Sequence, residues 1–441
     1  MGKDLFEKEK ISTAYLKLAI PVVLSMVIQL VYNMVDTYFI ALTGNTELIA
    51  GVSICTPLFL LFLAFGDMFA LGGSSVISRL LGAGREEDVR RLSAFCMYGS
   101  VAFGIITTII MMWGEVPVLE FLGADDSTMY YAMQYYEYIV LGSTFIIFIL
   151  SPINLLRTVG QPNASMAVTV LGAVVNMVLD PVFIFALGMG AAGAAIATII
   201  GYGCAILYSL FYINKNCKAL SIDPHDLGIC AKELQMIFAV GLPASVTNFM
   251  QTIGMTLTNR SLVEYGSDSI AVMGIVLKIV NIVMLILVGL AFGGQPLTGY
   301  SYGAGNRQRL RQVLSYAYKI VGGVAAVMAA GVAVFAHPLI NLFLQDESLI
   351  AQGIEMLYWQ LPGMILMGWG LVTICTFQSM GKGMPALILS MCRQGVVYGI
   401  VITALSMYFG YTGVIASQLV ADILSIVIAG ILFWQVIQPE L

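Results

Sequence analysis

Long apolar runs, parted by short polar turns, recur along the whole chain and predict helices that cross a bilayer. The first six lie near 14–42, 48–79, 92–114, 130–156, 163–187 and 192–213. After a hydrophilic stretch from about Asn214 to Lys232, six more follow near 234–263, 269–300, 312–336, 350–378, 385–408 and 413–435. A hydrocarbon core of about 30 Å needs roughly 20 helical residues, so the pattern reads as twelve spans. The runs are continuous and do not alternate in short segments, which favours a helical bundle over a β-barrel. Composition agrees, with 59% hydrophobic and only 10% charged residues, where soluble domains carry about 25% charged.

Placement of the basic residues orients the spans. Lys3, Lys8, Lys10 and Lys17 precede the first span, and Arg79, Arg85, Arg90 and Arg91 follow the second. Arg157 follows the fourth, Lys215, Lys218 and Lys232 lie in the connector, Arg307, Arg309, Arg311 and Lys319 come after the eighth, and Lys382 after the tenth. The opposite turns TGNTEL, GADDST, GMGAAG, EYGSDS, LQDES and GYTG hold no Lys or Arg. Cytoplasmic loops carry the positive charge, so both termini are expected in the cytoplasm and the chain in the cell membrane. Net charge is −5 and no basic patch suits nucleic acid. Seven cysteines, scattered without CxxC or metal-ligand spacing, read as small buried apolar residues. MGKDLFEKEK has no apolar leader, and Phe6 stands where a myristoylation signal needs Ser or Thr.

Sliding the second half back by 220 to 222 residues exposes a repeat. Ala19 to Pro21 meets Gly241 to Pro243, Gln29 meets Gln251, Gly44 meets Gly266, and Gly72-Gly73 meets Gly293-Gly294. Gly82 to Gly84 meets Gly303 to Gly305, Gly160 meets Gly381, and Gly190 with Gly193 meets Gly410 with Gly413. Six spans is an even number, so the lobes enter from the same face as parallel repeats about an axis along the membrane normal, around a central cavity. The expected fold is an all-α polytopic membrane protein with an N-lobe at 1–222 and a C-lobe at 223–441. The two GAG turns precede basic helix starts, so their glycines read as helix ends at positive φ; without GxxxxGK[ST] they are not phosphate loops.

Within this apolar frame a few polar residues stand out. Asp36 lies inside the first span, where a charge costs from about 2.5 to well over 10 kcal/mol unless paired or hydrated. Pro21 removes a backbone donor upstream and predicts a bend. In the fifth span Asn176 and Asp180 are four residues apart and share one face. Pro181 cannot donate to the carbonyl of Met177, leaving that oxygen for a side chain, water or ion. Thr198 in the sixth span offers a fourth oxygen, or back-bonds to its own helix. An amide oxygen, a carboxylate and that freed carbonyl suit a proton or a hard cation such as Na⁺.

The runs NMVDTYFIALTG at Asn33 to Gly44 and NMVLDPVFIF at Asn176 to Phe185, the SRLLGAG and GYSYGAG turns and the twelve-span repeat resemble the multidrug and toxic compound extrusion (MATE) family, of the bacterial small-drug exporter type. The resemblance implies that Asp36, Asn176, Asp180 and Thr198 form an N-lobe proton or Na⁺ site and that bending at Pro21 accompanies protonation. Some members carry further acids in the C-lobe; here Gln251 and Gln378 stand there, with Glu355 near a helix end. The expected function is secondary antiport by alternating access: inward H⁺ or Na⁺ drives export of amphipathic, often cationic organic compounds. No cofactor beyond the coupling ion is expected, no enzyme activity, and no partner beyond lipid and substrate for a monomer. Asp67, Gln251, Lys278 and Arg393 are candidates for lining the cavity, with Lys278 and Arg393 open to neutralisation by Asp67 or Asp422. The rival reading is a lipid-linked saccharide flippase of the same superfamily, which should carry a strongly basic cavity; only Lys278 and Arg393 lean that way.

Overall fold

In the computed structural model each expected span is helical, and the described residues contain no strand. The structure describes residues 2–441, apart from the side chains at positions 2, 3, 248, 249, 251, 252 and 267. The main helices are α1 (Ile11–Ala41), α2 (Thr56–Gly82), α3 (Glu86–Trp113), α4 (Ser143–Thr158), α5 (Pro162–Pro181) and α6 (Gly190–Asn216), then α7 (Ala231–Leu262), α8 (Ser267–Gly303), α9 (Arg307–Val334), α10 (Glu347–Ser379), α11 (Gly383–Gln394) and α12 (Val396–Val436). Short helices lead into two of them: Thr46–Ile54 into α2, and Met129–Leu141 into α4 across a 48° bend.

Length and apolarity single out nine membrane-crossing helices among the described residues, or ten with that bent pair as one. The remaining two follow from physical argument. Gly383–Glu440 counts there as a single stretch of 58 residues, about 87 Å of helix. Nothing that long stays straight in a core of about 30 Å, and the break comes at Gly410, whose φ of 58° and ψ of −133° interrupt α12. The other is α7, which is 32 residues long but interleaved with Thr, Asn, Gln and Arg260.

The repeat is written into the backbone as well as the sequence. Glycines at positive φ occur in matched pairs: Gly44 (66°) with Gly266 (94°), Gly84 (73°) with Gly305 (67°), Gly160 (79°) with Gly381 (78°), and Gly190 (54°) with Gly410 (58°). The GAG turns therefore end helices as expected, each last glycine taking a conformation that a Cβ would strain.

Two compact units emerge, Leu24–Ser245 with the N-terminal residues to Lys8, and Glu9–Val23 with Val246–Leu441. The division passes through α1 and α7, two residues beyond Pro21 and Pro243, whereas the sequence suggested the connector. Close glycine packing holds each exchanged segment. In the second unit a Cβ on Gly293 would collide with Ala19, and the Tyr15 hydroxyl donates to the Leu290 carbonyl at 2.9 Å. In the first, a Cβ on Gly72 would collide with Ile237, and one on Gly241 with Met68. Lipid tails are as apolar as leucine, so such backbone approach, more than apolar burial, drives helix association. The connector is bound to α3: Arg90 pairs with Asp226 at 3.2 Å, Arg91 with Glu233 at 2.5 Å, and the Tyr98 hydroxyl donates to the Ile222 carbonyl.

Candidate functional site

Inside the first unit, α1, α5 and α6 bring Asp36, Asn176, Asp180 and Thr198 together. The i, i+4 spacing on α5 lets the Asn176 amide donate to Asp180 Oδ1 at 3.3 Å and, across to α6, to Thr198 Oγ1 at 3.1 Å. Thr198 donates in turn to the Ala194 carbonyl at 3.0 Å, the back-bond to its own helix, while its oxygen accepts from Asn176. The Asp36 and Asp180 carboxyls lie close to one another. Asn176, Asp180 and Thr198 are buried, and Asp36 is half-buried.

Three acceptors in this cluster are buried without a donor: Asp36 Oδ1, Asn176 Oδ1 and Asp180 Oδ2. Each orphaned acceptor costs about 1–3 kcal/mol, so the cluster as built is short of positive charge or of protons. Directly after Pro181 the chain changes from α to a π turn, Val182–Ala186. The missing proline N–H removes the α-helical bond there, and π turns recur at functional positions.

One turn from each polar residue the same three helices turn apolar. Ile40 follows Asp36 by four residues, Ile184 follows Asp180 by four, and Ala194 precedes Thr198 by four; with Leu48 and Ala191 they form one buried cluster. This apolar cluster stands on the side of the site nearer the Thr43–Asn45 turn. Tyr32, Tyr135 and Tyr202 stand around the cluster, Tyr32 beside Thr198 and Tyr135 packed against the Ile40 cluster. Sequence reading missed these tyrosines. Two carried a signal, since Tyr32 is four residues before Asp36 and Tyr202 four after Thr198, each on the same helix face. Tyr135 carried none.

The remaining candidates are dispersed. Pro21 lies within α1, which continues through it, two residues before the units divide. Asp67 is half-buried on α2, Lys278 and Glu355 are exposed, and the side chain of Gln251 lies outside the described residues. Gln378 accepts from Gln295 at 2.8 Å. Arg393 pairs with Asp422 at 3.1 Å, both side chains largely buried, and Gln418 donates to the same oxygen at 3.2 Å. Asp422 neutralises Arg393, which removes half of the basic pair that a flippase reading leaned on.

A twelve-span bundle holding acids and an amide deep in one lobe defines a membrane transporter. Residues 21–182 and 243–405 match MatE, and the chain belongs to the MatE family. The two matched segments begin at Pro21 and Pro243, as the repeat requires. The chain is 29% identical to the Multidrug export protein MepA of Staphylococcus haemolyticus (strain JCSC1435) over 417 residues, which cover 95% of this chain and 92% of that one. It also resembles crystal structures of a MATE in the straight conformation (TM-score 0.94, 25% identity, 100% of this chain and 98% of that one) and in the bent conformation (TM-score 0.91, 25% identity, 100% and 99%).

Proposed function

We propose that the chain is a secondary antiporter that exports amphipathic, often cationic organic compounds in exchange for H⁺, which competes with Na⁺ for the cluster of Asp36, Asn176, Asp180 and Thr198. The observation that carries this reading is the set of three buried acceptors, one each on Asp36, Asn176 and Asp180, that lack a donor. A proton or a hard cation supplies what they lack. Two neighbouring carboxyls in a medium of low dielectric favour a proton on one of them, since losing it would set two anions side by side. Proton loss therefore pushes the α1 and α5 faces apart, and proton or Na⁺ entry draws them together. The range of compounds is inferred from the multidrug export for which the MepA relative is named. The basic turns support cytoplasmic termini.

The test is dye efflux from proteoliposomes at fixed membrane potential across a pH series, with and without Na⁺. H⁺ alone should suffice, and any Na⁺ effect should weaken as pH falls. A strict Na⁺ requirement, unaltered between acidic and alkaline pH, would show that the carboxylates serve as permanent ligands and would overturn the proton reading.

A further inference from the structure

In the second unit, α9 and α12 both pack on α10 and leave between them a groove of about 480 Å³, within the range of about 300–1,000 Å³ typical of small-molecule sites. The transport reading makes no use of it. Its walls are aromatic and fixed. The Tyr318 hydroxyl hydrogen-bonds Thr373 at 2.7 Å, and Trp369 Nε1 donates to the Tyr318 carbonyl at 3.3 Å. Tyr318 also meets Phe433 edge to face at 6.1 Å. Its emptiness comes from glycine: a Cβ added at Gly323 or Gly430 would meet no atom within 4 Å.

The contact between Tyr318 and Phe433 sets the groove's depth. Phe433 is three residues from the end of α12, so Tyr318 and its neighbour Lys319 stand near one end of that span, and the groove runs from them toward Ile426 and the middle of the span. Lys319 lines it and is exposed. The exposed Lys319 and the sequence before it, with Arg307, Arg309 and Arg311, make that end basic. A cation at the end of an apolar, membrane-depth groove calls for a ligand with an anionic head and a long apolar body.

We propose that this groove binds an anionic phospholipid, its phosphate on Lys319 and one acyl chain lying over Gly323 and Gly430 between Trp369 and Phe433. The detergent-purified full chain, given equimolar phosphatidylglycerol and phosphatidylethanolamine and examined by native mass spectrometry, should retain phosphatidylglycerol in about fivefold excess, the ratio one lysine contributes to anionic-lipid binding. Lys319→Glu should abolish the preference. Gly323→Leu combined with Gly430→Leu fills the groove from two positions where a Cβ meets no atom within 4 Å and should lose retention of both lipids. Gly331→Leu, on the same helix and equally free of contacts, should retain lipid as the wild type does. Equal retention of the two lipids by the wild type, or wild-type retention by the groove-filled double variant, would overturn the proposal. So would complete displacement by free glycerol phosphate, which would mark a site for a small anion with no role for the chain.

Discussion

Replacing Asp180 by Asn removes a titratable group while leaving its shape, and the structure sets the size of the effect. Asp180 is fully buried and accepts from Asn176. The new amide still accepts through its oxygen and can donate from its nitrogen to Asp36, so folding should lose no more than one net hydrogen bond, about 0.5–1.5 kcal/mol. Coupling should be lost altogether. One proton crossing about 100 mV releases about 2.3 kcal/mol, which sustains about a fiftyfold gradient of an uncharged substrate exchanged one for one. In proteoliposomes with an imposed potential of about 100 mV and equal pH on both sides, the wild type should approach that ratio and Asp180→Asn should settle near unity, while dye binding and melting temperature stay close to wild type. Full gradient-driven accumulation by the variant would refute the claim that this carboxyl carries the coupling.

Asp36→Asn should abolish accumulation in the same assay, and the double variant should be no worse than either single one, since the two acids act as a unit; additive losses would argue for separate sites. Pro21→Ala should lower turnover more than substrate affinity, because a straightened α1 loses its bistable element, and wild-type turnover would count against this. Arg393→Ala leaves Asp422 buried and unpaired, so the melt should show a loss of about 3–5 kcal/mol, largely recovered when Asp422 is also made Leu; an unchanged melt would mean that the pair is hydrated. Hydrogen bonds from Thr128 and Ser127 hold the Asp125 carboxyl down at about 2, below its ordinary 3.8. Its contribution is thus present above the ordinary value and lost only as pH falls toward 2, so Asp125→Asn should leave the efflux profile between about pH 5 and 8 superimposable on wild type.

Much of this architecture was legible because membrane spans and glycine turns obey local rules. Apolar run length placed the helices, and the GAG and paired glycine positions forecast where the backbone takes positive φ. The spacing of Asn176 and Asp180 forecast a shared face that the hydrogen bond between them realises. What stayed hidden depends on tertiary packing. No local signal says that α1 up to Val23 packs with the second repeat, because Ala19 and Gly293 become neighbours only after both helices are placed. The break at Cys55, which splits an expected single span into Thr46–Ile54 and α2, did carry a local signal, Pro57 in the first turn of α2, but one set inside a long apolar run. Tyr135 joins the site from Met129–Leu141, a helix whose approach to α1 no periodicity encodes.

The repeat also makes the uneven chemistry of the two lobes interpretable. Shifted by 222 residues, Asp36 falls on Thr258; shifted by 221, Asp180 falls on Val401; shifted by 220, Thr198 falls on Gln418. Thr258 is buried and hydrogen-bonded to the Tyr398 hydroxyl at 2.5 Å, and it donates to the Gly254 carbonyl at 2.9 Å. That position is neutral and satisfied, where its first-lobe counterpart holds acceptors without donors. The nearby acid of the second lobe, Asp422, is occupied by Arg393 and Gln418, a cation that is tethered and cannot be exchanged. A duplicated bundle with acids free in both lobes would offer two coupling sites; here one copy keeps its oxygens open and the other has closed them with side chains. Introducing Thr258→Asp should therefore not add a second coupled ion, because Val401 and the tethered Arg393 supply neither a partner carboxyl nor an open amide. A doubled ion-to-substrate ratio in that variant would show that the asymmetry lies elsewhere.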